Sequence, residues 1–409
     1  MNSSITSNPI RHTPITSRQP VLKVLGLGGG GCNAINRMIE LDMGGVTFIA
    51  ANTDHQALSN CLAPIKIMLG PHTTRGLGAG GKPEVGEAAA EESYREIAAA
   101  LNGADMVFLA AGMGGGTGTG SISIGARVAR ALGAVTIAVV TTPFSFEAGR
   151  RQRNAQQGLE KLRRYTNTLI TVPNDRLLHV ATKEMPLEMA FRLADDVLRQ
   201  GIQGIAELIT ETGLINVDFA HIRRLMELGG GSLMSIGHGS GDKKAFKAIT
   251  QALHHPLLES VSLDSAVGMI ANFTGGSDLT FLEVTEALNY LQEQAGNKAE
   301  IIPGVITDDR MEDRAQVILI ITGLGATPIE QTLEGAERMM PATYRPQLAM
   351  HAQPVAAAVP SPMTTATRIV AGPMATSSAQ SNPPPLELSS TATNLDIPAF
   401  MRRRYRNNG

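Results

Sequence analysis

Apolar runs closed by glycine-rich or polar stretches organise the first half of the chain. Residues 21–25, 46–51, 105–111, 135–140 and 168–172 are short, continuous apolar segments of the length of buried strands. Helical segments fall between them. One passes through Ile35, Met38 and Ile39, one covers 85–101 after Pro83, one covers 121–132, and an arginine-rich one starts at Arg150. Strands alternating with helices, with polar loops after the strand ends, predict an α/β fold. Its sheet is mostly parallel, with the site at the carboxyl edge. Leu187, Phe191, Ala194, Leu198, Ile205 and Leu208 then recur at helical spacing and predict one long central helix, placed at 187–212. Past it, strands near 233–236, 266–273, 300–306 and 316–322 alternate with helices near 243–254 and 282–294. They predict a smaller α/β (α+β) unit.

The division that follows is a first domain over 21–186, the helix, and a second domain over 213–326. Residues 1–20 have no apolar core of the signal-peptide kind and read as a disordered polar tail. Residues 327–391, rich in Ala, Pro, Ser and Thr, cannot bury enough apolar surface to fold. As a flexible linker they would span about 45 Å. Residues 392–409 bring Leu395, Asp396, Ile397, Pro398 and Phe400 together ahead of the basic stretch 402–406. An apolar cluster with a basic end on a long tether is the pattern of a recruitment peptide. The basic end would add weak affinity for anionic lipid or simply keep the tail solvated.

Composition narrows the class. A chain of 409 residues allows about two domains plus tails, and no apolar run approaches the ~20 residues of a membrane span. Two cysteines are too few for a disulfide framework and point to the cytosol, while a net charge of −2 argues against a nucleic-acid binder. His254 and His255 read as a surface pair, since no third ligand lies at useful spacing.

Candidate chemistry sits where the strands end. Residues 105–111 run into Gly112, Met113, Gly114, Gly115, Gly116, Thr117, Gly118, Thr119 and Gly120, between a buried strand and a helix N-terminus. Backbone N–H groups freed there point at an anion, and the helix dipole favours negative charge. No lysine follows these glycines as in a P-loop, so phosphates would be held by main-chain N–H groups, hydroxyls and a metal ion. A second unit, strand 21–25 followed by Gly26 to Asn33, matches G-x-G-x-x-G at Gly26, Gly28 and Gly31, and Asp54 follows the next strand. A dinucleotide-dependent oxidoreductase would show the same features; the second glycine loop counts against it. Residues 75–84 form a third glycine-rich loop. On the long helix, Phe191 would lie against a purine while Asp195 or Asp196 accepts its N–H donors, which favours guanine over adenine. Two adjacent carboxylates repel, so one should have a raised pKa or face solvent.

The string Gly114 to Gly120 resembles the signature loop of the tubulin/FtsZ family of GTPases. Residues 21–325 resemble its FtsZ branch at Gly26 to Asn33, Asn52 to Asp54, Gly76 to Gly80, Ala111 to Gly120, Pro143 to Glu147 and Asn216 to Asp218. The tail from Leu395 to Phe400 is similar to the FtsZ terminal peptide. The resemblance implies a GTP-binding protein that polymerises head to tail with itself at the bacterial mid-cell, on the inner face of the membrane. It implies GTP or GDP and Mg2+ as ligands, with membrane anchors and division regulators bound by the tail. Residue by residue, it implies that Gly28, Gly29, Gly30, Gly31 and Asn33 approach the phosphates and ribose. Gly114 to Thr119 would cradle the phosphates, with Ala79 and Gly80 near the terminal one. Glu147 and Arg151 would hold the ribose and phosphate side, Phe191 would stack on guanine, and Asp196 would read its edge. Asn216, Asp218 and His221 would enter the next subunit's pocket, so that hydrolysis is coupled to assembly.

The family's loop reads Asn-x-Asp-x-x-Asp, and here its last acid is His221. Neutral histidine accepts a proton but brings no fixed charge, which implies slower hydrolysis and longer-lived filaments. Cys32 stands for a glycine, Gly81-Lys82 for a residue followed by Asn, and Asp195 for an Asn. Changes clustered around one site suggest a divergent or second copy that co-polymerises with a fuller partner.

Overall fold

The computed structural model describes residues 19–324, apart from 148, 178–184, 212, 216, 228–230, 256–257, 259–262, 264–265 and 297–298. Asn216, the linker and the terminal peptide, with Leu395, Asp396, Ile397, Pro398 and Phe400, lie outside the described residues.

The chain enters β1 (Leu22–Leu27), which passes directly into α1 (Gly28–Glu40). β2 (Val46–Asn52) follows, then α2 (His55–Ser59), whose first N–H groups are taken by the Asp54 side chain. β3 (Ile65–Met68) and the single turn α3 (Pro71–Thr74) lead to α4 (Pro83–Glu92) and α5 (Tyr94–Leu101). The one helix expected over 85–101 is interrupted at Ser93. Its hydroxyl donates to the Met68 carbonyl and accepts from the Gly70 N–H, serving the β3–α3 connection instead of the helix. β4 (Met106–Gly112), α6 (Thr117–Ala131), β5 (Val135–Thr142), α7 (Gly149–Arg163), β6 (Thr168–Pro173) and the short α8 (Asn174–Leu177) complete the first half. The long helix is α9 (Leu187–Thr210). After it come α10 (Phe219–Glu227), β7 (Gly231–Ser240), α11 (Lys244–Leu253), β8 (Gly268–Gly275), α12 (Phe281–Gln294), β9 (Glu300–Thr307) and β10 (Arg314–Leu324).

The strands form one sheet in the order β3-β2-β1-β4-β5-β6-β7-β10-β8-β9. β3 through β7 in that order are parallel, whereas β10 is antiparallel to both its neighbours. The two units separated by sequence reading are thus joined edge to edge, through the register pairs Leu169↔Gly231 and Ile170↔Ser232. Alternate strand residues go to opposite faces, as the period of two requires. Val24, Phe48 and Phe108 pack under α1 and α9 with Ile35, Met38, Leu198, Ile202 and Ile205. Leu25, Ile49 and Leu109 pack under the other layer, with Ile97, Ile122 and Leu159. Burial on both faces explains why these strands read as unbroken apolar runs.

α9 spans the depth of the molecule. Phe191 near its start lies edge-on to Phe144, 5.4 Å between ring centroids, just past the carboxyl end of β5. At its end, Thr210 lies against Gly45, which precedes the amino end of β2. Leu198 is wholly buried between α9 and the sheet. Leu198→Ala is therefore expected to destabilise the protein by about 2–5 kcal/mol, read as a lowered urea midpoint with an unchanged slope.

Candidate functional site

β1 and β4 are neighbours, but β1 leads outward to β2 and β3 while β4 leads the other way to β5 and β6. Such a reversal opens a crevice at the carboxyl ends of the two strands. In register, Leu27 faces both Ala51 and Ala111, so the turns after β1, β2 and β4 emerge at one level.

Three helices start around this crevice. The expected glycine loops are partly helical: α1 begins at Gly28 and α6 at Thr117, so Gly28 to Gly31 and Thr117 to Gly120 are first turns. α4 begins at Pro83, after Lys82. None of the three has a side chain capping its N-terminus, and α1 and α6 carry no acid in the first turn. Asp54 and Thr280, by contrast, cap α2 and α12. The first N–H groups of a helix have no intrahelical partner, so the uncapped starts of α1 and α6 leave a set of donors at the positive ends of their dipoles, while α4, which opens on Pro83 and turns its Val85 and Gly86 N–H groups back to the Lys82 carbonyl, adds chiefly its dipole.

Close packing of backbone brings these starts together. At Gly28, with φ of 70°, a Cβ would lie 2.7 Å from the Gly118 nitrogen; at Gly116 it would lie 2.8 Å from Ala79 Cβ and from the Lys82 nitrogen. At Gly114, with φ of 95°, a Cβ would lie 2.9 Å from the Arg151 carbonyl oxygen. On the other side, a Cβ at Gly29, Gly115, Gly80 or Gly81 would meet nothing within 4 Å. The loops are pressed together behind and open in front, which is the shape of a cradle for an oligophosphate.

The hydroxyls have assigned partners. Thr119 Oγ1, buried, accepts from the Gly114 N–H at 2.8 Å and bends the loop. Thr117 Oγ1 shares a hydrogen bond with Thr53 Oγ1. Met113 is buried beneath the loop, where Gly158 leaves room for its methyl, and its N–H donates to the Thr141 carbonyl. Gly30 lies behind Gly112. Glu147 accepts from the Phe144 N–H at 2.9 Å and pairs with Arg151. Two contacts had no signal in the sequence. Asn154 Nδ2 lies 3.3 Å from the carbonyls of both Gly81 and Gly114, tying the third glycine loop to the signature loop, and Thr53 holds Thr117. Asn154 is one of several polar residues at the start of α7, and nothing marks it, or Thr53 after β2, as such a bridge.

The far end of the crevice is built by α9. Asp195 accepts a hydrogen bond from Asn33 on α1 and feels the Arg37 charge. Burial, opposed by Arg37 and Asn33 and reinforced by Asp196, pushes the Asp195 carboxyl up to about 7. Asp196 is tied to its own helix by Arg199 at 2.7 Å and by Gln200. Phe191 completes an aromatic group with Phe144 and Phe146, the latter two stacked at 5.0 Å.

Asp218 and His221 are not in this crevice. From Phe191 to Thr210 the helix rises about 28 Å, and both residues lie beyond its distal end. They belong to the start of α10, not to an open loop: Asp218 accepts from the Ala220 N–H at 3.0 Å and His221 is exposed in the first turn. Among the described residues no cluster of three metal-ligating side chains occurs.

A model of the tubulin/FtsZ family GTPase domain matches residues 21–182, and one of the FtsZ family C-terminal domain matches 230–325. Among solved structures, an FtsZ dimer from M. jannaschii is 42% identical, with 75% of this chain and 89% of that one covered at a TM-score of 0.73. A mutant FtsZ from the same organism is 43% identical over 75% and 92%, at 0.72. CetZ2 from Haloferax volcanii, solved as a GTPγS-bound protofilament, is 19% identical over 78% and 98%, at 0.65, a likeness of fold.

Asp195 gives the site a pH signature. Its folded carboxyl lies above the ordinary value of 3.8, so the native state binds the extra proton and loses stability as pH rises from about 4 to about 7. Asp195→Asn removes that loss. Without nucleotide, the variant is expected to gain about 2 kcal/mol on the wild type between about pH 5 and about pH 8, measured by urea unfolding.

Proposed function

Because the chain belongs to the tubulin/FtsZ family, we propose that it binds GTP in the crevice described above, polymerises head to tail, and hydrolyses GTP between subunits. The observation that carries the reading is the meeting of three uncapped helix starts at the sheet's switch point. Their N–H groups would take the phosphates and the Phe191 side the base, with Asp196 reading the guanine edge. Asp195 and Asn33 lie beside it. Magnesium would come with the nucleotide, held mainly by its phosphates. It would supply neutralisation of phosphate charge.

Hydrolysis needs a water oriented on the terminal phosphate. Asp218 and His221 are the polar residues proposed for this, and α9 holds them too far from the pocket of their own subunit. A second subunit brings its own pair to the first subunit's phosphates, so turnover requires a polymer. Exposed apolar side chains support association on both sides: Leu77 and Phe146 beside the nucleotide loops, Leu214 beside the catalytic segment. The proposed setting is the bacterial cytokinetic ring, cytoplasmic and at mid-cell. The peptide around Leu395 to Phe400 would recruit membrane anchors and regulators. A second reading, a filament that binds GTP and turns it over weakly, alone or co-polymerised with a fuller copy, is favoured by one residue. His221 stands where the family has an acid.

Two experiments test this. Gly114→Val, which drives a side chain into the Arg151 carbonyl, should abolish nucleotide binding, and Asp218→Ala should bind GTP with turnover at least about a hundredfold lower. Mixed in equal amounts, the two should hydrolyse GTP faster than the sum of each alone; a mixture no faster than the sum contradicts action across subunits. His221→Asp should raise turnover several-fold, and an unchanged rate would show that the histidine serves as well as the acid.

A further inference from the structure

The chain's two cysteines take no part in the chemistry above, yet they meet beneath it. Cys32 lies on α1 between Gly31 and Asn33, and Cys61 lies in the connection between α2 and β3. Both are free and each is 3% exposed. The two side chains are neighbours, and each thiol shifts the other's pKa. Cys61 Sγ also lies 3.2 Å from Asn36 Oδ1 and 3.8 Å from the Cys32 carbonyl, and Asn52 Nδ2 lies 3.8 Å from Cys32 Sγ. The Leu62 N–H donates to the same Asn36 Oδ1 at 2.8 Å, and the Lys66 charge acts on both thiols.

The geometry points to a redox-active dithiol: we propose that Cys61 and Cys32 are oxidised by a hydroperoxide to an intramolecular disulfide that ties the first turns of α1 to the connection before β3. The Cys61 thiolate attacks the peroxide, the O–O bond breaks, and the Cys61 sulfenic acid forms with release of water or an alcohol. Cys32 then gives up its proton and attacks the sulfenic sulfur; the S–O bond breaks and water leaves. Two thiols lose two electrons and the peroxide gains them.

The environments of the two sulfurs suit these roles. Its interaction with Cys32, helped by the nearby backbone and Lys66 and opposed by burial, holds Cys61 down at about 7, whereas Cys32 is pushed well up, first by its interaction with Cys61 and then by burial. The approach is from the side of Ser59, Asn60 and Leu62, all exposed. A disulfide of about 2.05 Å is shorter than any hydrogen-bonded contact, so one partner must move. α1 cannot, because Gly31 is wedged against the Ala110 carbonyl with room for no Cβ (2.3 Å). The exposed connection travels instead, and the phosphate cradle keeps its shape.

The test uses the full-length protein, reduced, freed of reductant, treated with hydrogen peroxide while folded, quenched, unfolded in the presence of an alkylating reagent and mapped as non-reduced peptides. The expected product is the Cys32 peptide linked to the Cys61 peptide within one chain, released by dithiothreitol. It should form at least about tenfold faster than in the urea-unfolded chain. In Cys32→Ala, Cys61 should be trapped as the sulfenic acid by dimedone. The proposal is overturned if both cysteines stay alkylatable in the native chain, if links form only between chains, or if unfolding does not slow the reaction. GTP binding measured on the oxidised sample bears on the proposed function and leaves this result unaffected.

Discussion

Everything at the candidate site depends on three helices beginning at one place without a side-chain cap, two of them, α1 and α6, with their first N–H groups open. Each start alone would be a modest attraction for an anion. Their convergence requires backbones to pass closer than a side chain allows, at Gly28 against Gly118 and Gly86 against Gly116, with Gly30 tight against Gly112. The strand order supplies the place, because β1 and β4 part company at the switch point and leave a crevice between their ends. The charge that such a site lacks must come from a ligand.

The second constraint is the length of α9. A helix that carries Phe191 and Asp195 at one end and leads to Asp218 and His221 past the other holds the two groups apart by the thickness of the molecule; in the proposed function this would separate base recognition from water activation. It packs on the sheet through wholly buried Leu198, Ile202 and Ile205, so that it acts as a strut. On the proposed function, a chain built this way would bring its nucleotide site and its catalytic segment together only when copies stack.

Much of this was legible in the sequence, and the reasons are physical. Strands buried on both faces announce themselves as unbroken apolar runs, and glycines crowded after two such runs have few other uses. Helix beginnings were harder: Gly28 and Thr117 to Gly120 are poor helix formers by composition, and they are helical here because tertiary packing fixes them. The break at Ser93 followed from a hydroxyl recruited by the β3–α3 connection, which no periodicity reports. The Asn154 bridge and the Cys32–Cys61 pair join residues far apart in the chain, where sequence alone shows only an isolated polar residue and two thiols. The adjacent carboxylates were visible, but only the fold decides that Asp195 is the one pressed against Asn33 and raised.

The most direct single measurement is phosphate release from GTP as a function of protein concentration, with pelleting in parallel. If the site is completed between subunits, the rate per subunit is near zero below a critical concentration and rises together with pelleted mass above it. A rate per subunit that is constant across the whole range, with or without pellet, would mean that one subunit hydrolyses GTP by itself and that the separation imposed by α9 has no catalytic meaning.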